Sequence, residues 1–159
     1  MTIAPIVQTV QVKAPPARAF ELFTAQMGAW WPRGIGKAPH VAVIVEPRAG
    51  GRWFERDAAG NETNWGKVLA WEPPSRLLLA WQISCEWAYD PALLTEVELT
   101  FAAAEGGTRV TLEHRHLERY GADAARQAEK FRGGWPTQLE AFIRYANARA
   151  SEGPAARTA

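Results

Sequence analysis

The residues of this chain that could carry chemistry are two histidines, His114 and His116, separated by a single residue. Apolar and polar residues alternate from Arg109 onward, which predicts a β-strand. Side chains two apart on a strand point to the same face, so we expect both imidazoles to face inward together with Val110 and Leu112. Imidazole titrates near neutral pH, and such a pair could act as acid and base or orient a ligand carbonyl or hydroxyl group.

The same pair has a structural interpretation, in which one histidine hydrogen-bonds a backbone group at the strand end and the other is exposed. This interpretation is favoured, because buried polar groups are usually paired within the protein. A His-X-His pair can also supply two metal ligands, but no third ligand follows at a suitable spacing, so we expect no metal and no cofactor. If the protein is an enzyme, the candidate catalytic residues are His114 and His116, with Glu55 as a nearby carboxylate.

Other function classes have weaker signals or none. Cys85 is the only cysteine, which excludes an internal disulfide and a multi-thiolate metal site. There is no nucleophile-elbow motif, and the Gly-Gly pairs at 106–107 and 133–134 are not followed by the Lys-Ser or Lys-Thr of a phosphate loop. The net charge is +1 with both signs interspersed, and no apolar run reaches the roughly 20 residues of a membrane span. We therefore expect a cytoplasmic protein with no nucleic-acid partner and no membrane insertion.

The elements that must position the histidines follow from hydrophobic periodicity and from Gly and Pro positions. A helix is predicted from Pro16 to near Gly28, followed by a short second helix with Trp30 and Trp31 and by a mobile flap at 33–39. A short helix at 122–132 is predicted to break at Gly133-Gly134 before a longer helix begins near Trp135. Strands are predicted at 6–13, 41–46, 51–57, 62–71, 76–83, 95–101 and 109–116.

The order of these elements and several short motifs resemble the START-like superfamily. The motifs are Glu-Pro-Arg-Ala-Gly-Gly-Arg-Trp at 46–53, Gly-Lys-Val at 66–68, Glu-Pro-Pro-Ser-Arg-Leu at 72–77 with Trp81, Thr-Arg-Val-Thr-Leu-Glu-His at 108–114, and Gly134-Trp135. Within the superfamily, the chain is most similar to the branch named after the activator of the heat-shock protein 90 ATPase, over about residues 7–148.

The resemblance implies an α+β helix-grip fold. In that fold a curved antiparallel sheet of six to seven strands wraps around a long C-terminal helix, two short helices follow the first strand, and a hydrophobic cavity lies inside. We expect one such domain at 1–150 and a disordered tail at 151–159. The resemblance implies a fold more specifically than a function, because the superfamily includes lipid carriers, cyclases, dehydratases, hormone receptors and co-chaperone domains.

The inward-facing positions predict which residues would line the cavity. Any single tryptophan among them is more readily explained as core, but eight in one domain favour a pocket, because close packing leaves little room for so many rigid indoles. The predicted ligand-binding residues are Trp30, Trp31, Trp53, Leu79, Trp81, Val97, Leu99, Leu112, His114, His116, Trp135, Leu139 and Phe142.

Three functions are compatible with the sequence. The favoured one is non-catalytic binding of a small hydrophobic or aromatic molecule. The second is a small enzyme of the cyclase or dehydratase kind that uses the His114 and His116 face. The third is a co-chaperone-like activator of a heat-shock protein 90 type ATPase, which requires an exposed apolar patch. A homodimer is a further hypothesis, because Trp65, Trp71 and Trp87 could form an aromatic cluster on the surface.

Overall fold

The computed structural model describes residues 2–150, in which seven strands form one antiparallel sheet. The strands are β1 (Ile6–Val12), β2 (His40–Val45), β3 (Arg52–Asp57), β4 (Glu62–Glu72), β5 (Arg76–Trp81), β6 (Thr95–Ala104) and β7 (Gly107–Arg115). The helices are α1 (Pro16–Thr24), α2 (Met27–Trp30), a 3-10 helix (Leu117–Asp123) and α3 (Ala124–Ala148). The helix-grip architecture is confirmed, and the predicted disordered tail at 151–159 lies outside the described residues.

The sheet order is β1-β7-β6-β5-β4-β3-β2. From β2 to β7 each strand pairs with its successor. Most of the connections are short, such as the turn at Asp57–Asn61, but residues 82–94 form a longer segment between β5 and β6. β1 pairs with β7, which means that α1 and α2 carry the chain from one edge of the sheet to the other. These two short helices therefore lie across the sheet's inner face beside α3.

Alternation along the central strands directs one face of the sheet to the core, as predicted. Leu77, Leu79 and Trp81 on β5 and Leu99 on β6 are buried, and so is Leu112 on β7. The outer face of β6 and β7 carries charges instead, and Arg115 there contacts the carboxylates of Glu96 and Glu98. The alternation of apolar and polar residues in the sequence therefore predicted the inner and outer faces of these strands correctly.

A bulge between β3 and β4 turns an additional tryptophan inward. Trp53 pairs with Gly66 and Phe54 pairs with Asn64, which leaves Trp65 as the extra residue. The Trp65 side chain is buried. At Gly66 a Cβ would lie 1.8 Å from the Ala80 carbonyl oxygen, so only glycine allows the neighbouring strand this close.

The predicted helix break at Gly133-Gly134 is wrong, because α3 runs without interruption through both glycines and through Pro136. The buried residues Phe131 and Trp135 lie on the two sides of the glycine pair at a spacing of four, and their burial continues the apolar face across it. Packing of an amphipathic face contributes more to helix stability in proteins than propensity does. The tertiary contacts therefore outweigh the weak helix formers at this point.

The exposed glycines in α3 give a test of this account. An ideal Cβ at Gly133 meets no atom within 4 Å, so Gly133→Ala is expected to raise the free energy of unfolding by about 0.5–1 kcal/mol by lowering the entropy of the unfolded chain. Gly66→Ala is the contrasting variant and should destabilise the protein strongly. Urea denaturation of both variants measures the effects, and a destabilising Gly133→Ala would show that the helix is distorted there.

Candidate ligand site

Tryptophan and phenylalanine rings fill most of the space between the sheet and α3. Ring centroids are 5.7 Å apart for Trp53 and Trp81, 5.5 Å for Trp81 and Trp135, and 5.1 Å for Trp30 and Phe142. The following predicted ligand-binding residues are buried members of this core: Trp30, Trp53, Leu79, Val97, Leu99, Leu112, Leu139 and Phe142. They pack against one another in the core and do not line the pocket described next.

A pocket of about 520 Å³ remains at one end of the aromatic core. Of the predicted residues, Trp31 and Trp81 line this pocket, and Trp135 lines a smaller adjoining space of about 60 Å³. The lining of the larger pocket consists of Trp31, Arg33, Gly34, Ile35, Gly36, Trp65, Trp81, Ile83, Trp87 and Gln138. Its size is ordinary for a small-molecule site, and its walls are mainly aromatic and aliphatic.

Most of the indole N–H groups in the core donate to a partner in the protein. Trp30 donates to the Leu22 carbonyl at 3.0 Å and Trp31 to the Arg33 carbonyl at 3.1 Å. Trp81 differs, because its buried Nε1 has no hydrogen-bond partner among the described residues. The Tyr120 hydroxyl lies near Trp81 and donates a hydrogen bond to the Ile83 carbonyl at 2.7 Å.

His114 is completely buried and uses both ring nitrogens within the protein. Trp135 Nε1 donates to His114 Nδ1 at 3.1 Å, which requires the imidazole proton to be on Nε2. Nε2 lies 2.8 Å from the Thr95 hydroxyl, and that hydroxyl donates to the Trp81 carbonyl at 3.0 Å. Burial lowers the pKa of His114 from 6.5 to about 3, so the ring is neutral and ties α3 to the sheet.

His116 does not share the inward face with His114, and the expectation that it does is wrong. β7 ends at Arg115, and His116 has a left-handed backbone with a φ of 67° before the 3-10 helix. Its half-buried ring lies 3.6 Å from Glu96 and 3.7 Å from Glu118. The left-handed residue ends the alternation one position earlier than the sequence pattern suggests.

Glu55 anchors the loop over the pocket. Its carboxylate is buried and accepts hydrogen bonds through Oε1 from Ile35 N at 2.6 Å, Gly36 N at 3.1 Å and Trp65 Nε1 at 2.8 Å. The segment at 33–39 was expected to be a mobile flap, but this carboxylate fastens its centre. At Gly34 a Cβ would lie 2.4 Å from the carboxylate oxygens, so a larger residue there would displace the carboxylate from its hydrogen bonds.

The prediction that Glu55 lies near the histidines is wrong. Glu55 is on β3 and His114 is on β7, with β4, β5 and β6 between them in the sheet. Glu55 hydrogen-bonds Ile35, Gly36 and Trp65, and His114 hydrogen-bonds Trp135 and Thr95, so the two side chains share no partner.

The three tryptophans considered as a surface cluster have separate environments. Trp65 is buried in the core, Trp71 packs on Phe20 with centroids 5.0 Å apart, and Trp87 is exposed. The aromatic surface on which the homodimer hypothesis rests is therefore not present, and the hypothesis itself remains a prediction.

Sequence reasoning missed several residues of the pocket, namely Arg33, Ile35, Trp65, Ile83, Trp87 and Gln138. Ile83 had the correct parity for an inward position, and Trp65 was missed because a bulge changes its direction. The others lie on loops or at the edge of the helix face, where periodicity gives no signal. Cys85 is half-buried, and desolvation raises its thiol pKa, which opposes a nucleophilic role.

An antiparallel sheet curled around a C-terminal helix, with an aromatic pocket at one end, defines a helix-grip protein of the START-like class. The chain belongs to the family of activator of Hsp90 ATPase homolog 1-like proteins, whose family model matches residues 13–147.

Two solved structures illustrate the range of relatives. An anthrahydroquino-gamma-pyrone synthase, Txn09, is 34% identical with a TM-score of 0.64, and the match covers 90% of this chain and 97% of that one. The self-sacrificing resistance protein CalC from Micromonospora echinospora is 29% identical with a TM-score of 0.72, covering 94% and 98%. No curated protein matches the chain.

No group of three or more His, Cys, Asp or Glu side chains among residues 2–150 could hold a metal ion. None of the helices in this range is long and apolar enough to cross a membrane.

The buried imidazole predicts a pH dependence of stability. The folded pKa of His114 is about 3 and the ordinary value is 6.5, so between these pH values the unfolded chain binds a proton that the folded chain does not. Stability from this group is present above pH 6.5 and is lost at about 1.4 kcal/mol per pH unit as the pH falls toward 3. NMR should show a neutral Nε2-H tautomer at pH 5. An imidazole of His114 that titrates near pH 6.5 would contradict the structure.

The Glu55 contacts predict that this carboxylate controls the order of the loop. In Glu55→Ala the amide protons of Ile35 and Gly36 lose their acceptor, and we expect their hydrogen exchange to accelerate about tenfold or more, the equivalent of one hydrogen bond. Glu62→Ala removes an exposed carboxylate on β4 that pairs with Arg52 and Arg56, and it is the matched control. Unchanged exchange at Ile35 and Gly36 would show that other contacts hold the loop.

Proposed function

We propose that this protein binds a small hydrophobic or aromatic molecule in the pocket beneath the loop at 33–36 and does not transform it chemically. The observation that carries the proposal is the composition of the pocket wall. Four of its ten described residues are tryptophans, and none is a carboxylate, histidine, cysteine, tyrosine or lysine. General acid and base catalysis uses those residue types in most enzymes, so this wall is suited to holding a molecule.

The polar groups on the wall support a ligand with a small number of polar atoms. Gln138 Oε1 is buried without a hydrogen-bond partner among the described residues, so it can accept a hydrogen bond from a ligand hydroxyl or N–H group. Arg33 lines the same pocket and is exposed, which makes it a donor at the entrance for a ligand carbonyl or carboxylate. A few such groups on an apolar wall are typical of sites that fix a ligand's orientation.

The histidine and carboxylate that could have acted as catalysts are committed to structure. Both nitrogens of His114 have partners within the core, and Glu55 accepts three hydrogen bonds on one oxygen. Recruiting either group would leave several buried donors unpaired, at a cost of about 1–3 kcal/mol for each one. This favours binding over turnover.

A ring-forming enzyme is the second candidate, and the observation that favours it is the 34% identity to a synthase over nearly the whole chain. Such an activity would have to proceed by positioning a reactive substrate, because the pocket wall lacks an acid or base. Effective concentration of reacting groups can supply a large part of a barrier. The two candidates differ in one observable, because an enzyme releases a product of changed mass or absorbance and a carrier returns the molecule unchanged.

Exposed apolar residues do not support a co-chaperone function. The large exposed hydrophobic residues among those described are Val7, Val41 and Trp87. Val7 is on β1 and Val41 on β2, which are the opposite edges of the sheet, so they cannot form one docking patch.

Native mass spectrometry of freshly purified protein, compared with a denatured sample, tests the proposal. We expect a discrete adduct of a few hundred daltons that quenches tryptophan fluorescence when it is added back. Trp81→Phe alters the pocket wall and should weaken that binding, whereas Trp71→Phe is the control because Trp71 packs on Phe20 outside the pocket. An empty protein that no hydrophobic compound quenches would overturn the proposal, and a product of new mass would favour the enzyme.

A further inference from the structure

Trp87 lies in a backbone conformation that tryptophan rarely adopts. The residues from Ser84 to Ala88 form a tight hairpin loop, in which Ser84 N donates to the Ala88 carbonyl at 2.8 Å and Trp87 N donates to the Ser84 carbonyl at 2.9 Å. These two bonds define a three-residue loop made of a type I turn followed by a left-handed residue. That residue is Trp87, with a φ of 58°, where glycine or asparagine is normally favoured.

The Trp87 side chain is unfavourably placed as well. Its surface is 44% exposed, and among residues 2–150 no aromatic ring stacks on its indole. A large aromatic side chain in a strained, exposed position contributes little to folding. Backbone strain of this kind is commonly found where a residue is needed for function.

The position of Trp87 indicates what that function is. Its indole lines the pocket described above, together with Trp31, Trp65 and Trp81, and it also lines the adjoining small space. The other three indoles are buried and belong to the core. Trp87 alone of the four is on the solvent side, where it can close over an occupant.

We propose that Trp87 is the cap of the ligand site and that the ligand is a planar aromatic molecule held between Trp87 and the core indoles. This inference rests on the proposed binding function. Flat rings gain a favourable electrostatic contact with indoles in addition to burial, which a saturated ring of the same size does not. The exposed surface and strain at Trp87 are then offset when the site is occupied.

The experiment compares two acids of equal ring number, 2-naphthoic acid and decahydro-2-naphthoic acid, by isothermal titration calorimetry. We expect the wild type to prefer the aromatic acid. Trp87→Gly should weaken binding of the aromatic acid about threefold to tenfold, the strength of an aromatic pair, and should reduce the preference for it by the same factor. Trp87→Phe should retain most of the preference, and Glu86→Ala, a neighbour in the same loop that does not line the pocket, should retain all of it.

Thermal unfolding gives an independent test of the strain at Trp87. If Trp87 only stabilised the fold, replacing it would lower the unfolding temperature. Because glycine relieves the left-handed strain, Trp87→Gly should unfold about 2–4 °C above the wild type. Trp87→Asn, which also tolerates this conformation, gives the same comparison if the glycine variant does not fold.

The outcomes separate the two proposals. If Trp87→Gly binds naphthoic acid as tightly and as selectively as the wild type, or if the wild type shows no preference for the aromatic acid, the capping role is overturned while a binding function stands. If the wild type binds neither acid, the capping role fails, and the absence of any adduct in the mass spectrum then rejects the binding function itself.

Discussion

The hydrogen bonds that run from Trp135 through His114 and Thr95 to the Trp81 carbonyl are the interaction on which the rest of this structure depends. They join α3 to β7, β6 and β5 inside a core where an unpaired polar group would be costly. Because an imidazole satisfies both partners only in one orientation, these bonds fix the rotation of α3 about its axis. The helix then presents Phe131 and its other apolar residues to the sheet even though two glycines and a proline interrupt its sequence.

Hydrogen-bond partners for buried polar atoms are also distributed unevenly between the closed part of the core and the pocket. Trp30 donates its indole N–H to the Leu22 carbonyl and is packed in the closed part of the core. At the end near Trp81 and Gln138 two buried polar atoms lack partners among the described residues, and this is where the pocket lies. The loop at 33–36 approaches closely only because Gly34 and Gly36 leave room for the Glu55 carboxylate. The packed aromatic core and the open pocket therefore occur side by side in the same layer between the sheet and α3.

The sequence predicted the fold more completely than the site, for physical reasons that individual residues show. Alternation assigned Leu77, Leu79 and Trp81 to the core, since a strand's period of two is fixed by backbone geometry. The motifs around the glycine and proline pairs led to the correct class. Alternation could not predict positions where the strand geometry is irregular. A bulge turned Trp65 inward, and the left-handed backbone of His116 ended the alternation of β7 before that residue. Loop residues such as Trp87 and Arg33 became pocket walls only through tertiary contacts between segments distant in the chain.

The structure shows a helix-grip protein in which four of the eight tryptophans line one pocket. The proposed function requires these four indoles to form the walls of a ligand site. The indole N–H region of a proton–nitrogen NMR spectrum tests this claim most directly, because each tryptophan gives one resonance. On titration with 2-naphthoic acid, the account predicts that the signals of Trp31, Trp65, Trp81 and Trp87 shift, and that those of Trp30, Trp53 and Trp71 do not. Shifts centred on the second group, or no shift at any indole, would contradict it.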